Sequence, residues 1–261
     1  MSERISAQPI DDGVDVDIHD SGVAVVTFTR GRNNYFDYDL IDTLATRLEE
    51  LPAAGARAVV LRTTSRHFCA GADFVGREDE QAGRHVYDIV PRLFAQTLPI
   101  VAAVGGAAIG GGLGLALVAD FRITTPSAYF LANFNRIGVS EGFALSVTLR
   151  RLVGPQKASE MLYASSRVGG QAAVMAGLSD RMVDDAELDD AALAFATEIA
   201  LSAPLAVAAS RRALRSDVTS DIIAEALRRE RAEQKPLMTT SDFHEGVQAW
   251  RDKRTPAFQR L

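Results

Sequence analysis

Twice in this chain a short, almost wholly apolar run gives way to a glycine-rich loop, and this repetition restricts the fold more than any other feature. The first run is Ala58-Val59-Val60-Leu61, followed by Phe68-Cys69-Ala70-Gly71-Ala72-Asp73. The second is Ile100-Val101-Ala102-Ala103-Val104, followed by Gly110-Gly111-Gly112-Leu113-Gly114. Apolar runs of this length read as strands buried on both faces, as in a parallel sheet. Peptide N–H groups just past such strands lie in a cleft, and small side chains let a ligand approach them closely. Two such donors converging on one oxygen make a backbone-built anion site, suited to negative charge that develops during a reaction.

The surrounding pattern supports a single α/β domain. Val14-Asp15-Val16-Asp17-Ile18 alternates with period two, and Ser21-Gly22 leads to Val23-Ala24-Val25-Val26-Thr27-Phe28, which predicts a hairpin with a half-exposed first strand. Asp37 is placed to cap a helix carrying Leu40, Leu44, Leu48 and Leu51, closed by Pro52. Strand, glycine loop and helix then repeat to about residue 125, which predicts parallel strands joined by right-handed crossovers. A helix is expected at 113–119, its positive end toward the cleft. From Gly142 onward helices are expected at 143–152, 155–164, 171–176, 191–202, 205–215 and 222–233.

Composition excludes several classes. With 261 residues, 47% hydrophobic and 24% charged, the chain has enough apolar content for a large core. A net charge of −6 and the lack of a long basic run argue against nucleic acid as a partner. The single Cys69 excludes an internal disulfide and suits a cytoplasmic setting. The opening MSERISAQPIDDGVDVD is acidic where a secretory signal needs an apolar stretch, and no apolar run reaches the length of a membrane span. The second glycine cluster lacks the G-x-G-x-x-G spacing of a dinucleotide loop, since Leu115 stands where the last glycine belongs. The bland reading of these glycines is close packing of helix on strand. Neither a metal-ligand cluster nor a G-x-S-x-G nucleophile elbow is found.

The strings HFCAGADF and PIVAAVGGAAIGGGLGLALVADFRI, with EGVQAWRDKRTPAF near the C-terminus, resemble the crotonase family, the enoyl-CoA hydratase/isomerase superfamily. The resemblance runs from about Val23 to the C-terminus. It implies an α/β fold, a crotonase-like spiral of ββα units over 1–195 and a C-terminal helical trimerisation region over 196–261, both within one structural domain. The assembly implied is a homotrimer or a dimer of trimers. The implied substrate is an acyl-CoA thioester, with coenzyme A part of the substrate and no cofactor bound permanently. Ala72 and Gly111 would supply the two amides of an oxyanion hole, and Ala70 its carbonyl to the adenine of CoA. Lys253 and Phe258 would contact the CoA nucleotide, sometimes from a neighbouring subunit. Asp73 would serve the hydrogen bonding of its own loop.

The chain departs from the family pattern where proton transfer is concerned. Hydratases of the family carry two glutamates about the reacting double bond, and the matching positions here are Gly114 and Phe134, neither of which transfers a proton. In Ile137-Gly138-Val139-Ser140-Glu141-Gly142, Glu141 resembles in position the aspartate of naphthoate synthases, while isomerases and dehalogenases carry an acid one place later, at Gly142. Glu141 is therefore the expected proton-handling residue. The competing reading is that Ser140 caps a helix beginning at Gly142 and Glu141 favours its first turn. His67, His85, Tyr87 and Tyr129 are the remaining candidates. The expected activity is hydration or isomerisation of an enoyl-CoA, a lyase or isomerase of fatty acid metabolism. The alternatives are another enolate reaction, forming or cleaving a C–C bond, or a catalytically silent CoA-thioester binder.

Overall fold

The period-two segment forms strand β1 (Val14–Ile18), antiparallel to β2 (Val23–Phe28) with Val14 opposite Phe28. The computed structural model describes residues 13–72 and 83–260; Asp73 and the acidic stretch before Gly13 lie outside them. Helix α1 (Tyr38–Glu50) starts where Asp37 predicts, the Asp37 carboxylate accepting from the Leu40 amide at 2.9 Å. The first apolar run becomes β3 (Ala58–Arg62) and the second β4 (Ile100–Val104), separated among the described residues by the short helix α2 (Val90–Phe94). With β6 (Phe121–Thr124) and β9 (Arg181–Met182) they complete a six-stranded sheet ordered β1-β2-β3-β4-β6-β9, in which every pair after the first is parallel.

Alternate residues of this sheet divide the interior into two cores, because successive side chains point to opposite faces. Val23, Ala58, Val60, Val101, Ala103 and Ile123 face helix α6 (Leu188–Ala200), where Leu188, Ala192, Ala196 and Ala200 are buried. The opposite residues, among them Val26, Phe28, Val59, Leu61, Ile100 and Ala102, join a larger core with α1 and α2. Parallel strands buried on both faces account for the unbroken apolar runs.

A second sheet was not readable from the sequence. Strands β5 (Ala107–Ile109), β7 (Tyr129–Leu131) and β8 (Val168–Gly169) form a three-stranded layer, β5 and β7 parallel, β7 and β8 antiparallel. The first glycine loop docks on it: Cys69 donates to Ala107 O and accepts from Ile109 N, each at 3.0 Å. Helix α3 (Gly111–Ala116) follows β5 directly, two residues earlier than expected, so Gly111 opens the helix.

The C-terminal helices are α4 (Leu145–Tyr163), α5 (Gly170–Met175), α6, α7 (Pro204–Leu214), α8 (Ser220–Leu237) and α9 (Ser241–Arg251). The two segments expected at 143–152 and 155–164 are the two helical runs of α4, parted at Gly154, whose φ of 74° breaks the first run before Pro155. Helix α9 was not anticipated. The apolar face of Ala192, Phe195 and Ile199 packs on the sheet of its own chain. Among the described residues no single helix is long and apolar enough to cross a membrane, and no group of three metal-ligating side chains is found.

Candidate active site

The two glycine loops meet. A Cβ added to Gly71 would lie 3.0 Å from Ile109 O and 3.7 Å from Gly111 N, so the backbones touch where a side chain would separate them. Their neighbours' amides are engaged: Ala70 donates to Asn33 O at 3.1 Å and Gly110 to Leu131 O at 2.8 Å. The amides of Ala72 and Gly111 donate to no acceptor among the described residues, and both residues line one cavity of about 500 Å³. Gly110 turns β5 into α3 at φ 55° and ψ −120°, a conformation open essentially to glycine, and this turn sets Gly111 at the start of α3 on the cavity wall.

Around these amides the wall is aromatic. Phe36 and Phe143 stand 5.3 Å apart, centroid to centroid, and a Cβ on Gly111 would come within 2.6 Å of Phe36. Phe134, 7% exposed, lies on the same wall. A Cβ on Gly114 would sit 2.7 Å from both Cβ and Cδ1 of Phe143. The space a side chain at 114 needs is therefore taken by Phe143.

Phe143 holds that place through an unusual turn. Phe143 and Ala144 both have left-handed backbones, φ 57° and 60°, each costing about 1–3 kcal/mol unless the surroundings impose it. Glu230 of α8, only 3% exposed, imposes it: its carboxylate accepts from Ala144 N at 2.8 Å, Ser146 N at 3.1 Å and Ser146 Oγ at 2.6 Å. These bonds cap α4 from a distant helix. Ser140 does not cap it, since the helix begins at Leu145 and the buried Ser140 hydroxyl has no hydrogen-bond partner among the described residues. Burial pushes the Glu230 carboxyl up to about 7 against the pull of its three donors, and the charge of Glu141 adds to the rise.

One turn further along α8, Gln234 binds the same segment and the cavity. Its Nε2 donates to Ser140 O at 2.9 Å and Glu141 O at 3.1 Å, and its Oε1 accepts from the Tyr87 hydroxyl at 3.1 Å. Tyr87, His85, Gln234 and Phe143 line the cavity; Glu141 does not. Its backbone is turned to Gln234 and its charge acts on Glu230, so the expected proton-handling carboxylate stands off the wall.

The other expected residues divide. Ala70 lines the cavity, as do Arg84 and Arg251. Lys253, at φ 55°, and Phe258, 39% exposed, follow α9 and are not on the wall. His67 lies outside it, its pKa held below the ordinary value by burial and then by Arg66 and Arg32. Tyr129 is covered by the Arg167 guanidinium at 3.6 Å. Cys69 is buried, its thiol pushed up to about 12 by desolvation, which makes it a packing residue. Asp37, also on the wall, is committed to Arg30 and to the Leu40 amide.

Known proteins resemble this chain over most of its length. The profile of the family described as enoyl-CoA hydratase/isomerase matches residues 19–260. A Rhodobacter capsulatus protein named "Probable enoyl-CoA hydratase" is 33% identical over 250 residues, covering 91% of this chain and 94% of its own. The 2,3-dehydroadipyl-CoA hydratase of Escherichia coli is 32% identical, with 91% and 95% covered. Among solved structures, an enoyl-CoA hydratase/isomerase from Pseudoalteromonas atlantica superposes with a TM-score of 0.86 at 29% identity, over 95% of this chain and all of the other.

Proposed function

The chain belongs to the enoyl-CoA hydratase/isomerase family, and on that premise we propose that it binds an acyl-CoA thioester with the carbonyl oxygen between the amides of Ala72 and Gly111. The observation that carries the reading is that these two amides donate to no acceptor among the described residues and belong to residues that line one cavity. As the thioester becomes an enolate, charge moves onto that oxygen and both N–H bonds strengthen; losing one donor of this kind costs about a hundred- to thousandfold in rate.

The surroundings shape which enolate reaction is favoured. Phe143 fills the space beside Gly114 and Phe134 stands on the wall, so among the described residues no pair of carboxylates stands at those two positions. Proton transfer at carbon next to the thioester, as in isomerisation, fits this aromatic wall better than addition of water. Ala70 offers its carbonyl at the cavity for the adenine, while Arg84 and Arg251 on the wall suit the phosphates.

Calorimetry with butyryl-CoA and crotonyl-CoA tests the binding, with a raised melting temperature as its second readout. The absorbance of crotonyl-CoA tests hydration, expected about a hundred- to ten-thousandfold slower than in relatives that keep both glutamates. Failure to bind any acyl-CoA at millimolar ligand overturns the reading.

A further inference from the structure

We infer that Tyr87 is the proton-transferring side chain of this cavity, its hydroxyl set in place by Gln234 and given room by Gly142. The inference rests on the thioester reading above and adds the residue that reading lacks.

Gln234 is 5% exposed, and both hydrogens of its amide nitrogen are engaged by Ser140 O and Glu141 O. That fixes which way the amide faces. Its oxygen then meets the Tyr87 hydroxyl, residues 147 positions apart in the chain. The ring is steadied from its other side by His85, edge-on at 4.6 Å, whose Nδ1 accepts from the Tyr87 amide at 3.1 Å.

Gly142 supplies the second observation. A Cβ there would lie 1.8 Å from the Tyr87 oxygen and 2.7 Å from Gln234 Nε2, while Gly142 has no left-handed backbone to explain a glycine. The hydroxyl and its amide partner are what require glycine at this position. The next residue, Phe143, lies with its ring 3.4 Å from where a Cβ on Gly111 would be. The phenol thus stands one residue from the wall of the oxyanion amides, where Phe36, Phe134 and Phe143 carry no proton and Asp37 is held by Arg30.

The step balances without a cofactor. With the thioester held as an enolate, the Tyr87 O–H bond breaks and a C–H bond forms at the enolate carbon. The carbonyl re-forms, and the phenolate regains its proton from water at the mouth of the cavity. The reverse sequence removes that proton from carbon. No oxidation state changes.

Deuterium exchange at the carbon next to the thioester isolates this step from hydration. Butyryl-CoA and phenylacetyl-CoA are incubated with the protein in heavy water, exchange is followed by proton NMR, and affinity for the same thioesters is measured by calorimetry. Tyr87→Phe should slow exchange at least tenfold with affinity within about twofold, since general acid–base assistance contributes about a hundred- to ten-thousandfold. Gly142→Ala, which displaces the hydroxyl, should lose exchange likewise. Exchange by Tyr87→Phe at the wild-type rate overturns the assignment, even if Gly142→Ala is impaired. A wild-type protein that binds the thioesters but exchanges nothing overturns it and leaves the thioester reading standing; one that binds none overturns both.

Discussion

At the scale of single residues, the proposed site joins backbone amides of two glycine loops to side chains that distant parts of the chain bring together. Ala72 and Gly111 were expected from the family resemblance of their two loops, and both line the cavity, where our proposal gives them the thioester oxygen. Replacing Gly111 with Val puts methyl groups where Phe36 comes within 2.6 Å of the first added carbon. The ring tip can yield, so far-UV circular dichroism should stay unchanged while turnover and α-carbon exchange fall at least a hundredfold. Glu141 was expected from local resemblance, yet the fold turns its backbone to Gln234 and leaves it off the cavity wall. Glu141→Gln then discriminates: turnover within about threefold of wild type agrees with Tyr87 as proton donor, and a tenfold loss returns the role to Glu141. The Tyr87–Gln234 pair had no local signal, because its partners lie 147 residues apart and Gly142 reads as one more loop glycine.

Among the elements, α8 does the most to hold the site, and nothing in its sequence announces it. The helix was expected at 222–233; its actual span, Ser220–Leu237, carries Glu230 and Gln234 inward against the 140–146 loop. A buried carboxylate in an apolar interface leaves no periodic trace, since it interrupts the pattern without replacing it. The missed helix α9 did carry a signal, Thr240, whose hydroxyl accepts from Phe243 N at 3.1 Å as an N-cap. The short strands β5, β7 and β8, three residues or fewer each, fall below any readable alternation. Glu230 makes a pH prediction. Its folded pKa is raised from 4.5 to about 7, so the folded state holds the proton more tightly and favours the neutral acid. Its effect on stability is fully present below about pH 4.5 and is lost as pH rises through about 7. Glu230→Gln should flatten that part of the stability profile in chemical denaturation. At pH 8 it should also destabilise by about 1–3 kcal/mol, because an amide NH₂ then confronts N–H groups that had a carboxylate acceptor. An unchanged slope between pH 4.5 and 7 contradicts a raised Glu230.

For the molecule as a whole, the open question is what covers α7. Its arginines anchor it: Arg211 pairs with Asp120 at 2.9 Å, and Arg215, just past its end, at 3.1 Å. No residue of the helix is buried, however, and Leu205 and Leu214 stand 87% and 74% exposed, with Leu201 at 82% just before it. Ala192, Phe195 and Ile199 of α6 are taken by the chain's own sheet. We propose α7 and its approach as a surface for assembly, since their exposed leucines favour burial between copies. Light scattering should report three or six times the 28.1 kDa of one chain. The double change Leu205→Arg and Leu214→Arg should shift that mass toward the monomer, and a wild-type monomer at micromolar concentration contradicts the assembly. Assembly also bears on ligand binding, because Lys253 and Phe258 do not line their own chain's cavity. If a neighbour's cavity is where they reach the nucleotide, Phe258→Ala should weaken acyl-CoA binding several-fold in the assembled protein. In the dissociated variant the same change should make no further difference, and an equal loss in both places Phe258 at its own chain's site instead.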